Sequence, residues 1–281
     1  MLSERARAKV NLTLRVLGRR ADGYHELDSL VAFASVGDTL TFQPDRPLSL
    51  TIAGPHGAGL DTADNLVVRA AKALAGAFPG LKLGAFHLVK RLPVASGIGG
   101  GSADAAAALR LLCRWNGIAI EDPPVVSVAR AIGADVPVCL ASKARVMRGV
   151  GERLGPELAM PPLFAVLVNP AVAVETRAVF RELGLAPDSV TGEADDAVSA
   201  DLSSALEHGR NDLQAPALAI APEIGNVLAA LRASPECRLA RMSGSGATCF
   251  GLFDDCRKAA AAARSLATAY PAWWVKPTLL R

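Results

Sequence analysis

Apolar and polar residues follow two distinct periods along the chain. Residues 8–17 alternate between apolar and polar side chains, which is the period of a half-buried strand. Residues 224–231 instead carry apolar side chains at the i, i+3, i+4, i+7 spacing of an amphipathic helix. The same patterns predict further strands at 27–33, 38–42, 48–52, 86–89, 163–168, 238–242 and 248–253. They predict further helices at 65–77, 102–115, 125–132 and 257–269.

The order of these elements favours an α+β fold. Strands occur in groups with separate helices, rather than in the regular alternation that builds a doubly wound parallel sheet. Glycines and prolines cluster at 155–162. This cluster predicts a boundary between an N-terminal lobe at 1–158 and a C-terminal lobe at 159–281.

Composition narrows the class of protein. Hydrophobic residues make up 51% of the 281 residues, which is enough for a sizeable core. No uncharged apolar run approaches the roughly 20 residues of a membrane helix, and the charged first ten residues lack the apolar core of a signal peptide. We therefore expect a cytoplasmic protein with no membrane partner. The five cysteines include no Cys-x-x-Cys pair, so reduced thiols are expected rather than disulfides or a zinc site.

Charge is distributed unevenly along the chain. The net charge is +3, but residues 182–209 contain seven acidic residues and no lysine or arginine, so the remainder is basic. A basic remainder is compatible with anionic small molecules. Because only 5% of residues are aromatic, a groove for nucleic acid is not expected. The acidic, turn-rich stretch 186–201 is interpreted as an exposed insertion or loop.

A glycine-rich segment carries the strongest functional signal. Residues 93–104 read Pro-Val-Ala-Ser-Gly-Ile-Gly-Gly-Gly-Ser-Ala-Asp, directly before an alanine- and leucine-rich stretch. Glycines let such a loop adopt positive φ and approach a ligand closely. Ser102 is predicted to be the N-cap of the following helix, with Asp104 in its first turn. A helix that opens in this way directs free N–H groups and its positive dipole end at one point, which suits a phosphate.

Two common phosphate signatures do not fit this segment. A P-loop needs a lysine between the last glycine and the serine, but Ser102 follows Gly101 directly. A dinucleotide fingerprint needs a third glycine where Ser102 stands, after a buried strand, whereas residues 86–91 end in two cations. A flexible hinge is the alternative. Phosphate binding is favoured because the glycines precede a strong helix.

Three separated motifs resemble those of the GHMP kinases, the family of galactokinase, homoserine kinase, mevalonate kinase and phosphomevalonate kinase. The segment 93–104 is similar to the family's phosphate loop, 8–12 to its first motif and 243–247 to its glycine-rich third motif. The resemblance implies a two-lobed α+β GHMP kinase fold, with a ribosomal-protein-S5-like N-terminal lobe and a ferredoxin-like C-terminal lobe. It also implies an ATP-dependent small-molecule kinase, with ATP as co-substrate and Mg²⁺ beside it.

Further segments narrow the expected substrate. Residues 20–25, 92–106, 132–137 and 210–213 are similar to GHMP kinases that act on a methylerythritol linked to cytidine diphosphate. This similarity implies transfer of the γ-phosphate of ATP to the 2-hydroxyl of 4-diphosphocytidyl-2-C-methylerythritol, in non-mevalonate isoprenoid biosynthesis. The alternatives are another GHMP kinase, of homoserine or mevalonate type, and a catalytically silent nucleotide or sugar sensor. Monomer and homodimer both stay open.

Asp135 and Lys9 are the candidate catalytic residues. By resemblance, Asp135 accepts the proton of the substrate hydroxyl or orients that hydroxyl. The resemblance also implies that Lys9 pairs with Asp135 and keeps it ionised. From the residues alone, a helix cap is the alternative for Asp135, and a solvated surface position is the alternative for Lys9.

The resemblance implies five substrate-binding residues. Asn11 lies on the strand face that carries the catalytic lysine. Tyr24 is implied to stack on the cytosine ring and His25 to hydrogen-bond its edge. Phe180 is implied to form the second face of a cytosine sandwich, with Thr176 as a further contact. A strand-edge hydrogen bond for Asn11 and core packing for the aromatic rings are the alternatives.

The remaining site residues are implied to contact ATP. Backbone N–H groups of the glycine loop are expected to hold its phosphates, and Ser102 is a candidate Mg²⁺ ligand, mostly through water and phosphate. A plain tight turn is the alternative for the third glycine motif. The implied ATP-binding residues are Pro93, Gly97, Gly99, Gly100, Gly101, Ser102, Asn65 and Lys90, and the third motif comprises Ser243, Gly244, Ser245 and Gly246.

Overall fold

The computed structural model describes residues 1–194 and 202–281. Its strands are Leu2–Asn11 (β1), Arg15–Arg19 (β2), His25–Pro44 (β3), Ser49–Ala53 (β4), Gly84–Val89 (β5), Arg145–Gly149 (β6), Arg153–Leu154 (β7), Leu163–Asn169 (β8), Ser189–Val190 (β9), Leu239–Met242 (β10), Cys249–Phe253 (β11) and Trp274–Leu280 (β12). Its helices are Leu66–Ala77 (α1), Gly100–Asn116 (α2), Pro123–Ile132 (α3), Val136–Ala141 (α4), Thr176–Glu182 (α5), Leu202–His208 (α6), Gln214–Ile220 (α7), Glu223–Ala233 (α8) and Cys256–Ala269 (α9). Each element predicted from the periodicity is found, and the mixture confirms the α+β class.

One compact unit comprises Met1–Ala8, Gly37–Val94 and Gly99–Ser142. In this unit the end of β3 pairs antiparallel with β5, and β5 pairs parallel with β4. Helix α2 packs against α1, α3 and α4. Alanines at 103 and 105–108 are buried along α2, and their small side chains let the neighbouring helices approach closely.

A second compact unit comprises Lys9–Val36, Ala95–Ile98 and Lys143–Arg281. Its strands β10, β11, β8 and β12 form an antiparallel run, and β12 joins β3 where Leu280 faces Ala34. The first half of β3 also pairs with β2 and β6. Apolar residues of α7, α8 and α9 form a core with β8 and β11, and Ile224, Val227 and Leu231 are fully buried in it.

The predicted strand at 8–17 is two strands in the structure. β1 ends at Asn11 and β2 begins at Arg15, because the backbone between them leaves the ladder. There the Leu14 N–H donates to the carbonyl oxygen of Arg210 at 2.8 Å, and the Thr13 hydroxyl oxygen accepts from the Leu30 N–H at 3.1 Å. By contrast, the strands predicted at 27–33 and 38–42 are one continuous strand, β3.

The predicted N-cap of α2 is wrong. The helix begins at Gly100, and its N-cap is Gly99, which has a left-handed φ of 61°. Ser102 is therefore the third helical residue. Glycine adopts the left-handed conformation without a steric penalty, so here the backbone rather than a side-chain oxygen determines where the helix begins.

Short elements were missed by the periodicity, since a two-turn helix or a two-residue strand gives too few repeats to detect. They include α4–α7, β6, β7, β9 and the C-terminal β12. Part of the acidic stretch 186–201 forms β9, and its residues from 195 onward lie outside the described residues.

Both compact units are assembled from separated segments, and the 158/159 position falls inside the second unit. The contiguous lobe boundary stays a prediction. Within residues 1–194 and 202–281, every helix is too short or too polar to cross a membrane.

Helix α9 provides a test of local stability. Asp255 is its N-cap, and one carboxylate oxygen accepts hydrogen bonds from the N–H groups of Arg257 at 2.8 Å and Lys258 at 2.9 Å. We expect Asp255→Ala to lower the free energy of unfolding by about 1 kcal/mol in urea denaturation. Asp255→Asn keeps an acceptor oxygen and should lose less than half of that. Equal losses in the two variants would contradict a capping role.

Candidate active site

The C-terminal part of the glycine loop forms the start of α2. Gly99 is left-handed, and its carbonyl oxygen accepts the first helical bond from the Ala103 N–H at 2.8 Å. Gly100 and Gly101 are helical, so close neighbours rather than positive φ favour glycine there. A Cβ atom at Gly100 would lie 3.2 Å from the Lys90 ammonium. The first N–H groups of a helix have no partner within it, so this bare end of α2 offers donors and a positive dipole to a phosphate.

The N-terminal part of the glycine loop packs against the third glycine motif. Gly97 has a φ of 74°, and a Cβ atom on it would lie 2.5 Å from the carbonyl oxygen of Ser243 and 2.7 Å from the nitrogen of Gly246. A Cβ atom on Gly244 would lie 2.6 Å from the carbonyl oxygen of Gly97. The two motifs therefore need glycine because their backbones are in contact. This close approach explains the third motif better than an isolated tight turn does.

Ser243 links both motifs to the end of β1. Its hydroxyl donates to the carbonyl oxygen of Gly97 at 3.1 Å and accepts from the Asn11 N–H at 3.0 Å. The Lys9 N–H donates to the carbonyl oxygen of Ile98 at 2.9 Å. Residues from all three segments that resemble family motifs are thus joined by hydrogen bonds within the second compact unit.

The Asn11 side chain is buried with an unused acceptor. Its Nδ2 donates to the Ser29 hydroxyl oxygen at 2.7 Å, which in turn donates to the carbonyl oxygen of Thr13 at 2.5 Å. In the described part of the chain, Asn11 Oδ1 is buried without a hydrogen-bond partner. Because a buried acceptor without a donor costs about 1–3 kcal/mol, this atom is suited to accept a hydrogen bond from a ligand.

The two candidate catalytic residues differ from the alternatives that the sequence left open. Lys9 is only 4% exposed, so it is not a solvated surface lysine. Asp135 occupies the N-cap position of α4, but within the described residues its side chain makes no capping hydrogen bond. Lys9 belongs to the second compact unit and Asp135 to the first.

Lys90 lies in a buried charged cluster. Its ammonium donates to Asp38 Oδ2 at 2.5 Å and Asp104 Oδ2 at 2.7 Å. The other Asp38 oxygen accepts from the N–H groups of Arg91 at 2.5 Å and Leu92 at 2.8 Å. Through these two carboxylates Lys90 ties the loop's entry and α2 together, and its implied contact with ATP stays a prediction. Asp38 was missed in the sequence, although an aspartate between the strand residues Val36 and Leu40 was a visible signal.

Burial and charge shift the proton affinities in this cluster. Burial disfavours the charged form of Lys90, but Asp104 and Asp38 outweigh it and raise the pKa of the ammonium. Burial raises the pKa of the Asp104 carboxyl to about 7; the Lys90 charge opposes this shift and the Asp38 charge reinforces it. Asp104 is thus a buried group, and as the fifth residue of α2 it lies beyond the first turn in which the sequence placed it.

Two of the three rings that the resemblance assigns to the cytosine base are in contact with each other. Phe180 stacks on His25, with ring centroids 4.7 Å apart and an interplanar angle of 29°. Tyr24 is 64% exposed, so its ring face is open. Burial, followed by the Arg19 charge, lowers the pKa of His25, which keeps the imidazole neutral near pH 7. Phe180 also packs against the apolar core, in agreement with the core alternative.

The other assigned residues have defined local roles. Thr176 starts α5, and its hydroxyl shares a 2.8 Å hydrogen bond with the Ser245 hydroxyl. Asn65 is the N-cap of α1, with its oxygen accepting from the Val67 N–H at 3.0 Å. Pro93 is buried at the entry of the glycine loop.

The described side chains offer few metal ligands. Across residues 1–194 and 202–281, no group of three or more histidine, cysteine or carboxylate side chains is placed to hold a metal ion. Ser102 presents its hydroxyl in the first turn of α2, half-buried. One hydroxyl beside a phosphate-binding helix end fits Mg²⁺, which keeps several waters and takes most other ligands from nucleotide phosphates.

Two family models match this chain. The family model for the GHMP kinases N terminal domain matches residues 65–143, which contain the glycine loop, Lys90, Asp104 and Asp135. The model for the GHMP kinases C terminal matches residues 199–272, which contain the third glycine motif. The chain belongs to the GHMP kinase family, as its motifs predicted.

The similarity to individual proteins extends over the full chain. The 4-diphosphocytidyl-2-C-methyl-D-erythritol kinase of Methylobacterium radiotolerans is 60% identical, covering 100% of this chain and 99% of the relative. The enzyme of the same name from Xanthobacter autotrophicus is 56% identical with the same coverage. A crystal structure of 4-(cytidine 5′-diphospho)-2C-methyl-D-erythritol kinase matches with a TM-score of 0.82 and 36% identity, covering 99% of each chain. The predicted GHMP kinase fold is confirmed.

The contact between the glycine motifs can be tested with a matched pair of variants. Gly97 and Gly59 have nearly equal φ values, 74° and 76°, but a Cβ atom at Gly59 would meet no described atom within 4 Å. We expect Gly59→Ala to cost about 1 kcal/mol of unfolding free energy from the left-handed backbone alone. Gly97→Ala should cost several kcal/mol more and raise the KM for ATP by about tenfold or more. Urea denaturation and ADP-release assays measure both effects, and equal behaviour of the two variants would contradict the contact.

The Asp104 titration predicts a pH dependence of stability. Its pKa is about 7 in the folded chain against an ordinary 3.8, so between these values the folded chain binds more protons than the unfolded chain. The stability contributed by this proton is complete below about pH 4 and is lost as the pH rises through 7. Asp104→Asn removes the titration. Between pH 4.5 and pH 8, we expect the wild type to lose on the order of 1 kcal/mol or more of unfolding free energy that Asp104→Asn does not lose. Urea denaturation at both pH values measures this difference.

The control for this experiment is Asp122→Asn, which alters another carboxylate of the same compact unit and keeps Asp104. It should follow the wild-type pH dependence. Parallel stability curves for wild type and Asp104→Asn across the range would show that Asp104 does not titrate there.

Proposed function

We propose that this GHMP kinase transfers the γ-phosphate of ATP to the 2-hydroxyl of 4-diphosphocytidyl-2-C-methyl-D-erythritol, giving ADP and the 2-phosphate. The observation that carries the proposal is the full-length 60% identity to a relative of that name. The product would serve non-mevalonate isoprenoid precursor biosynthesis. The geometry of the glycine loop and the placement of the assigned residues support the same reaction.

The phosphates of ATP are proposed to bind at the start of α2. Gly99, Gly100 and Gly101 expose backbone N–H groups there, and the helix dipole favours negative charge. Ser102 is the residue proposed to approach Mg²⁺, and Mg²⁺ supplies neutralisation of phosphate charge when bound. The contact between Gly97 and the third glycine motif supports this proposal, because it maintains the shape of the loop beside the phosphates.

Phosphoryl transfer needs an oriented nucleophile and little covalent help from the protein. Asp135 is proposed to accept the proton of the substrate 2-hydroxyl, or to orient that hydroxyl. The oxygen of the 2-hydroxyl then attacks the γ-phosphorus of ATP, and ADP leaves. Lys9 is proposed to stabilise negative charge during this step. Its burial supports a role that a solvated lysine would not fill.

Recognition of the cytosine base is assigned to the Tyr24–His25 turn. The exposed ring of Tyr24 offers a stacking face, and a neutral His25 offers both a donor and an acceptor to the edge of the base. Phe180 supports recognition by holding the His25 ring through stacking. Asn11 Oδ1 and Thr176 are proposed to receive polar groups of the substrate, since the first is a buried acceptor in need of a donor.

We also propose that the enzyme acts in the cytoplasm on these small molecules, as a monomer or homodimer and without nucleic acid. The five free cysteines support a reducing compartment. The low aromatic content of 5% supports the absence of a nucleic-acid groove.

An assay panel tests this proposal. ADP release would be measured with ATP, Mg²⁺ and one alcohol at a time: 4-diphosphocytidyl-2-C-methyl-D-erythritol, homoserine or mevalonate. We expect turnover with the cytidine-linked alcohol, and Asp135→Asn should lower kcat by on the order of 10²- to 10⁴-fold. The reason is that the amide cannot accept the hydroxyl proton.

Asp122→Asn is the matched control for Asp135→Asn. Asp122 is also at the N-cap position of a helix in the same compact unit, and in the described structure it too makes no side-chain capping bond. It should leave kcat unchanged. Turnover with only homoserine or mevalonate would overturn the substrate, and nucleotide binding without any turnover would indicate a sensor. Full activity of Asp135→Asn would overturn its catalytic role.

A further inference from the structure

Arg110 joins three elements of the first compact unit. It lies on α2, and its Nη1 donates to the carbonyl oxygens of Cys139 at 2.8 Å and Leu140 at 3.3 Å, at the end of α4. Its Nε donates to Glu4 Oε2 at 3.3 Å, and its Nη2 donates to the carbonyl oxygen of Arg5 at 3.2 Å, both on β1. Four acceptors therefore hold one planar guanidinium, and its side chain is only 16% exposed.

Helix α4 depends on such external contacts for its orientation. It has six residues, too few to be stable as an isolated helix. Its residues from Val136 to Leu140 are buried, and it packs against α2 and α3. Hydrogen bonds from a rigid guanidinium fork add a directional constraint on the rotation and register of α4 to this apolar packing. Carbonyl groups at a helix C-terminus also lack partners within the helix and favour a cation.

A direct chain of hydrogen bonds connects Arg110 to Asp135. The Cys139 carbonyl accepts from Arg110, and the Cys139 N–H donates to the carbonyl oxygen of Asp135 at 3.1 Å. The two peptide groups are one helical turn apart, about 5.4 Å along the axis. Arg110 thus holds the turn directly beneath the residue assigned to the substrate hydroxyl.

The same helix carries the proposed phosphate site. Arg110 lies ten residues after Gly100, the first residue of α2, which is about 15 Å along a continuous helix. A displacement of α4 relative to α2 therefore changes the position of Asp135 relative to the end of α2. A shift of about 1 Å at a reacting group is enough to cost about 10²-fold in rate.

We infer that Arg110 is a positioning residue for Asp135: by anchoring the C-terminal carbonyls of α4 to α2, it sets the place of the catalytic carboxylate. This inference rests on the proposed function, because it takes Asp135 as the group that handles the hydroxyl. Arg110 itself touches neither substrate nor ATP in this assignment. Its loss should therefore lower kcat and leave substrate binding intact.

Steady-state kinetics of three variants test the inference. Arg110→Ala removes all four contacts and should lower kcat about 10- to 100-fold, with the KM values for ATP and the alcohol changed less than about threefold. Arg110→Lys keeps the positive charge but replaces the planar fork with a compact ammonium. Its kcat should lie between those of Arg110→Ala and the wild type. Arg114→Ala is the matched control, because Arg114 shares the Glu4 ion pair at 3.1 Å but makes no described bond to α4. It should retain wild-type kcat.

A double-mutant cycle separates positioning from general damage. In the Asp135→Asn background, single-turnover measurements should show that Arg110→Ala lowers the rate by less than about twofold, because the group it positions is gone. The same 10- to 100-fold loss in both backgrounds would overturn the inference. So would an unchanged kcat in Arg110→Ala and Arg110→Lys, or a loss confined to KM. If Asp135→Asn is itself fully active, the proposed function fails before Arg110 is considered.

Folding of the variants is checked by urea denaturation, and rates are compared at a temperature where every variant is fully folded. If Arg110→Ala does not fold, Arg110→Lys carries the test in both backgrounds. A partial loss of kcat in Arg110→Lys that disappears in the Asp135→Asn background supports the inference, and a loss that persists there overturns it.

Discussion

The buried contact of Lys90 with Asp38 and Asp104 is the constraint on which the glycine loop depends. Asp38 binds the Lys90 ammonium and the N–H groups of Arg91 and Leu92, while Asp104, the fifth residue of α2, ties that helix to the same ammonium. Both flanks of the loop are therefore attached to one charged cluster. Removing one partner of a buried ion pair costs about 3–5 kcal/mol, whereas a surface pair contributes little. A loop rich in glycine has high conformational entropy, so it needs rigid flanks to present its N–H groups at one point.

Helix α2 is rigid, so it holds the N–H groups of its first turn at a defined distance from Arg110. The first turn of α2 offers the N–H groups proposed to bind phosphate. The next turns carry the buried alanines, and Arg110 follows them towards the C-terminus of the helix. Small buried side chains let α2 pack closely with neighbouring helices, and close packing transmits position with little slack. A kinase gains most from positioning and electrostatics, since the phosphoryl group itself needs little covalent assistance. The unusual alanine content of α2 is therefore linked to function as well as to stability.

The sequence predicted the longer elements and the family, but not how its motifs are connected. Periodicity located α1, α2, α8 and α9 because each spans several turns with a clear apolar face. It could not locate α4, whose six residues are nearly all apolar and buried. Local rules placed the N-cap at Ser102, whereas the left-handed Gly99 begins the helix. The carboxylate partners of Lys90 were not predicted, because no local pattern reveals contacts with residues 52 and 14 positions away.

The glycines illustrate why one motif type serves two physical purposes. Gly97 and Gly244 are required by backbone contact, since a Cβ atom on either would overlap the other motif. Gly100 and Gly101 meet no comparable backbone atom; their neighbours are the Lys90 ammonium and the Leu66 side chain. Gly97 and Gly244 thus maintain the contact between the two motifs, whereas Gly100 and Gly101 avoid crowding these side chains at the helix end proposed to bind phosphate. Asn11 shows the same division within one residue: its N–H and amide nitrogen bond to Ser243 and Ser29, while its buried Oδ1, which has no partner among the described residues, is the atom proposed to accept from the substrate.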